Sequence, residues 1–148
     1  MDKEDAIMTF DIFRDKIEKK LPKDFVINYP LNKKESFFWI SVPSTIIGTS
    51  LCHYEFVKEG ESEKVNLELH FEFIEEDIKE KKLIIHSLCK KTLLKKDISN
   101  RNKDVSPYQV GIVYKTFELS SEKIIEDSIK NLKKLDKKFR RKISVFFK

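Results

Sequence analysis

Residues that make flexible joints and covalent cross-links are scarce in this chain of 148 residues. Three glycines and four prolines leave no Gly/Ser-rich linker, and no internal repeat is visible, so the sequence predicts a single domain over residues 1–148. The two cysteines, Cys52 and Cys89, form no CxxC pair. We expect both to be free thiols in a reducing cytoplasm, packed as small hydrophobic side chains.

Long apolar segments are also missing. A membrane span needs about 20 mostly apolar residues, whereas the longest stretch without a charged residue begins at Ser36 and contains Pro43 and Gly48. The opening residues, MDKED, are mostly acidic and precede no apolar core of the kind that a secretory signal has. We therefore expect a cytoplasmic protein that does not contact a membrane.

Motifs that identify common enzyme classes are absent as well. The sequence contains no GxGxxG, no P-loop, no GxSxG and no HExxH. These absences argue against nucleotide-binding proteins with a Gly-rich loop, against α/β-hydrolases and against zinc proteases. The sequence predicts no cofactor and no catalytic residue, and we favour a non-catalytic module.

Arginine accounts for four of the 30 basic residues, and lysine for the other 26. This excess is typical of a lysine-rich bacterial proteome and weakens any inference from basicity, because arginine is the side chain that grips phosphates and base edges in a bidentate manner. The formal net charge of +5 is unevenly distributed: residues 1–74 carry −4 and residues 75–148 carry +9. Predictions about partners therefore rest on the separation of charge.

Apolar residues, including twelve phenylalanines, are numerous enough to fill a core. Helical spacing predicts a first helix over residues 4–20, capped by Asp2 or Asp5 and ended by Pro22. Strands are predicted at residues 25–29, 37–42, 51–57 and 65–73. The last of these alternates strictly between apolar and polar residues, and a charged hairpin loop over residues 58–64 joins it to the strand before it.

The second half of the chain returns to helical spacing over residues 75–94, with a strand at 83–88 as the alternative. A polar loop at 97–104, a strand at 108–119 and a long helix that starts at Ser120 or Ser121 complete the pattern. The apolar stripe of that helix consists of Ile125, Ile129, Leu132, Leu135, Phe139, Ile143 and Phe146. The order of elements predicts an α+β domain, with an antiparallel or mixed sheet of about four or five strands, helices packed on one face, and amphipathic helices at both termini.

The polar face of the predicted hairpin gathers ionisable residues. In one register His53 lies opposite His70 and Glu55 lies opposite Glu68. Directly opposed carboxylates repel each other, so a lysine, a proton or a cation should compensate them. Two imidazoles with carboxylates on adjacent strands can bind a divalent metal. A solvated sheet face, a salt-bridge network and a metal or acid/base site are the three interpretations.

The last helix carries a dense run of basic residues. Its candidate contacts to nucleic acid or to an acidic protein are Lys130, Lys133, Lys134, Lys137, Arg140 and Arg141. Such a face could follow a phosphate backbone with strong salt sensitivity, or it could simply be solvated. Near the end of the sequence, Phe146 continues the apolar stripe, whereas Phe147 leaves it and is a candidate partner contact.

The order of motifs resembles a small accessory domain of unknown function found C-terminal in bacterial restriction-type and other defence-associated proteins. The resemblance lies in a tryptophan-bearing strand, Phe37-Phe38-Trp39-Ile40, a glycine turn at Gly48, and an alternating strand from Glu68 to Glu72. The second tryptophan of that pattern is absent, and Tyr108 or Tyr114 could replace it. The resemblance implies an accessory role beside nucleic acid and no catalytic residues.

Three functions remain open from the sequence. The leading hypothesis is a bacterial cytoplasmic module that binds nucleic acid, or a partner that handles nucleic acid, through the basic last helix. The alternative is a protein–protein module, such as an inhibitor or an assembly subunit, that uses the polar hairpin face or Phe147. The third is a metal-assisted hydrolase built on His53, Glu55, Glu68 and His70.

Overall fold

A computed structural model describes residues 8–32, 36–43, 45, 47–48, 52–72, 98–99 and 109–146 of the chain. For residues 98–99, 109–110 and 141–146 it describes the backbone alone. The predicted helix at 75–94, its alternative strand at 83–88, and Cys89 lie outside the described residues.

An antiparallel sheet and two helices form the described fold. The helices are α1 (Phe10–Lys20) and α2 (Ile124–Phe146), and the strands are β1 (Val26–Asn28), β2 (Phe37–Ser41), β3 (Cys52–Lys58), β4 (Lys64–Glu72), β5 (Ile98–Ser99) and β6 (Gln109–Glu118). The strand order is β1-β2-β3-β4-β6-β5, and every neighbouring pair is antiparallel. The predicted α+β class is confirmed.

Both helices pack on the same face of this sheet. Phe13 of α1 contacts the rings of Phe38 and Phe56, with centroids 6.1 and 5.5 Å away. From α2, Leu132, Leu135 and Phe139 join the same buried cluster. This arrangement, with the terminal helices on one face of an antiparallel sheet, is the one that the sequence predicts.

The first helix starts later than predicted. Met8 and Thr9 are not helical, and the Thr9 side-chain oxygen accepts a hydrogen bond from the Ile12 amide at 3.2 Å. A threonine hydroxyl in an extended conformation is a strong N-cap, so it fixes the start at Phe10 in place of a cap at Asp2 or Asp5. The predicted end is confirmed, because Leu21 is extended immediately before Pro22.

The predicted loop at 97–104 contains a two-residue strand. Ile98 and Ser99 pair with Ile112 and Gly111 of β6. Polar composition suggested a loop, but the outer edge of β6 offers unpaired backbone groups, and a short segment that pairs with them satisfies those groups.

The last helix begins at Ile124, after a turn in which the Ile124 amide donates to the Ser121 carbonyl, and so three or four residues later than predicted. Its buried face is also rotated from the predicted stripe. Ile124 is buried, whereas Ile125 and Ile129 are half-buried. The apolar residues of α2 face two neighbours, because the helix packs against the sheet on one side and against α1 on another. The apolar part of its surface is therefore wider than a single stripe.

Candidate functional site

Alternation along β3 and β4 divides their side chains between two faces of the sheet. Tyr54, Phe56 and Leu69 point towards the helices and are fully buried. His53 pairs with His70 and Glu55 with Glu68 on the opposite face, in the register that the sequence predicts. The hairpin thus places two imidazoles and two carboxylates side by side.

Burial on this opposite face is far greater than a solvated surface would show. Glu68 is completely buried, and Glu55 and His70 are 8% and 9% exposed. The interpretation of a solvated sheet face is therefore wrong for these three residues. Sequence alternation does not distinguish a polar face in water from one that is covered, because both show the same pattern.

The four side chains are in direct contact. His53 Nε2 lies 2.9 Å from Glu55 Oε1, and His70 Nδ1 lies 3.4 Å from the same oxygen. The other nitrogen of His70, Nε2, lies 2.7 Å from Glu68 Oε1. Each carboxylate thus faces an imidazole nitrogen.

Two further polar residues hold the buried end of this cluster. The Asn66 side-chain amide donates to Glu68 Oε2 at 3.1 Å and to Glu59 Oε2 at 2.7 Å. The Thr116 hydroxyl donates to Asn66 Oδ1 at 2.8 Å. Asn66 is buried, so this chain fixes Glu68 from the side remote from His70.

Thr116 reaches the cluster because of an irregularity that the sequence does not announce. Leu67 pairs with Lys115 but Glu68 pairs with Val113, so Tyr114 is an extra residue in β6. Asn66 is two residues from Glu68 on β4, whereas their partners Thr116 and Val113 are three residues apart on β6. The β-bulge takes up this extra residue and so lets Thr116 pair with Asn66. No motif in the sequence signals a bulge here, and Asn66 and Thr116 are therefore site residues that sequence reasoning missed.

A second feature, a basic groove, lies between the two helices. It has a volume of about 860 Å³ and is lined by Lys16, Lys19, Lys20, Ile125, Glu126, Ile129, Lys130 and Lys133. The sequence did not predict that the lysines of α1 belong to this groove, because they are far from α2 in the sequence and lie near it only in the folded chain. Within the described part of the chain, none of these five lysines forms an ion pair.

The remaining predicted lysines lie on neighbouring surfaces of α2. Lys137 lines a groove of about 620 Å³ with Lys133 and Pro22. Lys134 lines another, of about 390 Å³, with Lys130 and Lys115. All four predicted lysines of α2 are exposed, so the helix presents them to solvent around one side of its axis.

Arg140 differs from the lysines because it is held by a buried acid. Its guanidinium forms a two-bond ion pair with Asp136, including Nε to Oδ1 at 3.0 Å. The Tyr54 hydroxyl donates to Asp136 Oδ1 at 2.7 Å. The hydrogen bond to Asp136 raises the pKa of Arg140, and burial raises the pKa of Tyr54 well above its usual range, with the Asp136 charge adding to it. Arg140 is thus already paired with an acid, and its contact to nucleic acid or to an acidic partner stays a prediction.

Other predicted positions are placed only in part. The backbone of Arg141 continues α2, and its side chain lies outside the described residues, as does Phe147. Cys52 is fully buried, as predicted for a small hydrophobic side chain. Among the described residues, no helix is both long and apolar enough to cross a membrane.

Comparison with known proteins gives no relative. No family model matches the chain, and neither a curated protein nor a solved structure shows significant similarity to it. The resemblance to the small defence-associated domain therefore stays an expectation, and any functional conclusion depends on the geometry of the two surfaces.

Proposed function

We propose that this chain is a cytoplasmic binding module that contacts the phosphate backbone of nucleic acid through the lysines of α1 and α2. The observation that carries the proposal is the groove in which Lys16, Lys19 and Lys20 stand across from Lys130 and Lys133. Five cations and one carboxylate, Glu126, line this surface. A groove with positively charged walls concentrates a polyanion and accelerates its association.

The predominance of lysine supports recognition of the phosphate backbone of nucleic acid rather than of its base sequence. Lysine is a hydrated point charge that pairs with phosphate without fixed geometry, whereas bidentate reading of bases is mainly the work of arginine. Arg140, the predicted arginine whose side chain is described, is engaged by Asp136. Contacts from lysines alone position a protein on nucleic acid and carry no sequence information.

The residues that line the groove favour a duplex over a single strand. Lys130 and Lys137 are seven residues apart on α2, which is about 10 Å along the helix axis and enough to pass several phosphates of one strand. The residues that line the groove include no aromatic side chain. Single-strand binders use aromatic rings on which bases stack, so the groove lacks their characteristic contact.

One observation supports a second candidate, an acidic protein partner. Ile125 and Ile129 line the same groove and are partly buried. An acidic amphipathic helix could place its apolar residues on these isoleucines and its carboxylates among the lysines. The same lysines would then serve a protein–protein module.

Fluorescence anisotropy with a labelled DNA duplex of random sequence tests the first proposal. If about five phosphates are neutralised, the affinity should fall by a factor of roughly 10²–10³ between 50 and 200 mM salt. The double variant Lys130→Glu with Lys133→Glu should abolish binding at the higher salt. Lys23→Glu with Lys64→Glu is the matched control, because it changes the net charge equally at exposed positions outside the groove.

Two results would decide against nucleic acid. One is duplex binding that persists unchanged from low to high salt or in the Lys130/Lys133 variant. The other is binding of an acidic amphipathic peptide, but not of duplex DNA or RNA, with the peptide lost in the same variant. The second result would establish the acidic-partner candidate.

A further inference from the structure

We propose that His53, Glu55 and His70 bind one divalent transition-metal ion of the zinc class on the sheet face opposite the helices, and that Glu68 positions His70 for it. This proposal is independent of the lysine groove, because the two sites share no residue. It assigns a ligand to a largely buried polar cluster in the described part of the protein.

The donor atoms of these three residues lie close together. One nitrogen from each histidine and one oxygen of Glu55 all lie within 4.8 Å of one another. Zinc binds nitrogen and oxygen at about 2.0–2.2 Å in tetrahedral geometry, which places two ligand atoms about 3.3 Å apart. The separations of the Glu55 oxygen from His53 Nε2 and His70 Nδ1, 2.9 and 3.4 Å, bracket that value.

Glu68 determines which nitrogen of His70 is free for the ion. Its Oε1 lies 2.7 Å from Nε2, so a proton on Nε2 would be donated to this carboxylate and would leave the Nδ1 lone pair facing Glu55. A histidine that donates one ring N–H to a carboxylate is the usual partner arrangement around protein-bound metals. Asn66 and Thr116 then hold Glu68 in place.

Charge balance points to a cation at this position. Glu55 is buried, and a buried carboxylate is strongly unfavourable unless a positive charge lies beside it. One divalent ion would offset the charge of Glu55 while leaving the histidines in the neutral form that metals require.

The ligand types select the class of ion. Imidazole with carboxylate suits zinc and its neighbours cobalt and nickel, whereas magnesium and calcium prefer oxygen ligands alone. Three protein ligands leave a fourth tetrahedral position. His53, at 15% side-chain exposure, is the most accessible of the set, so solvent approaches the ion beside it.

A built-in fluorophore makes the proposal measurable. Trp39 is the single tryptophan of the sequence, and its ring centroid lies 6.2 Å from that of His53. Cobalt(II) titrated into the ion-free protein should quench Trp39 emission saturably at one equivalent, and zinc should reverse the quenching by competition. Magnesium and calcium at the same concentrations should leave the emission unchanged.

Variants separate ligands from the positioning residue. His53→Ala, Glu55→Gln and His70→Ala should each weaken zinc at least about 100-fold, and Glu68→Gln about 10–100-fold. Glu72→Gln is the matched control, because Glu72 lies on the same strand and face but outside the cluster. Far-UV circular dichroism and the ion-free Tm of each variant show whether it folds.

Histidine ring nitrogens of the wild-type protein provide a measurement that needs no variant. With ¹⁵N-labelled histidine, zinc should shift His53 Nε2 and His70 Nδ1 to metal-bound positions, while His70 Nε2 keeps its proton. In Glu68→Gln, His70 should lose its single tautomer. If folded wild-type protein takes up neither zinc nor cobalt and its histidine signals do not move, the proposal is wrong and the cluster is a proton-bridged network.

Discussion

Tyr54 and Asp136 connect the central sheet to α2 through a hydrogen bond inside the core. The sequence shows Asp136 only as an acid within a run of lysines, and nothing in that run predicts a partner 82 positions away. Burial makes the contact important, because Tyr54 is fully buried and Asp136 is 6% exposed. A polar pair in this position fixes how α2 lies on β3.

Removal of the Tyr54 hydroxyl should destabilise the protein. Tyr54→Phe leaves Asp136 bound to Arg140 but without its second donor, and we expect a loss of about 1–2 kcal/mol in the free energy of unfolding. Urea denaturation followed by circular dichroism measures it. Tyr114→Phe is the matched control, since Tyr114 lies in the core without a hydrogen bond from its hydroxyl in the described structure, and it should change the stability by much less.

The pH dependence of this difference is a second readout. The pKa of Tyr54 is raised in the folded protein by burial and by Asp136, whereas an unfolded tyrosine ionises near pH 10. The contribution of Tyr54 is therefore complete below pH 10 and is lost as the pH rises above it. The gap between wild type and Tyr54→Phe should narrow over that range, and a gap that widens would contradict the assignment.

At the scale of elements, α2 was the clearest prediction and also the one whose phase needed correction. Its existence followed from the apolar spacing, and its contact with the sheet through Leu132, Leu135 and Phe139 is confirmed. The sequence did not predict that Ser128 lies in the same buried face. Periodicity counts apolar residues, so it misses a small polar residue that enters the core.

Ser128→Ala should stabilise α2. Within the described structure, Ser128 Oγ is a buried side-chain atom without a hydrogen-bond partner. Alanine removes that unsatisfied group and has the higher helix propensity, so thermal and urea unfolding should show a gain of about 1 kcal/mol.

Ser62→Ala is the matched control for this change. The Ser62 hydroxyl donates to the Glu59 carbonyl and accepts from the Lys64 amide, so its loss should lower the stability. A loss of stability in Ser128→Ala would instead mean that the Ser128 hydroxyl has a favourable contact.

At the scale of the whole molecule, the centre of the sheet is the most protected part of the described fold. β4 pairs with β3 on one side and with β6 on the other over nearly all of its nine residues. β1 has three residues, lies at an edge, and pairs with β2 alone. Edge segments open locally, whereas central strands open only when the domain unfolds.

Amide hydrogen exchange should therefore be graded across the sheet. We expect the amides of β4 that bond to β3 or β6 to exchange at least about 100-fold more slowly than those of β1, relative to their intrinsic rates. Two-dimensional NMR after transfer to D₂O measures the rates. Equal protection of β1 and β4 would show that the sheet opens as one unit and would contradict the grading.

The sequence by itself determined the hairpin and its two faces. A strand has a period of two, so the alternation from Val65 onwards fixes which side chains share a face, and the register that aligns His53 with His70 and Glu55 with Glu68 was one that the sequence allowed and that the structure confirms. It likewise determined the strong helix at the C-terminal side and the existence of the first four strands, because each is a local pattern bounded by proline or by a turn.

The tertiary structure decided what those patterns could not encode. The complete burial of Glu68, the bulge at Tyr114 that brings Thr116 to Asn66, and the capture of Arg140 by Asp136 all depend on neighbours in space. The groove in which lysines of α1 meet those of α2 depends on how the two helices pack together in space, although all the strands lie between them in the sequence. Local periodicity assigns a residue to a face, but only packing determines whether that face meets water, another side chain or a ligand.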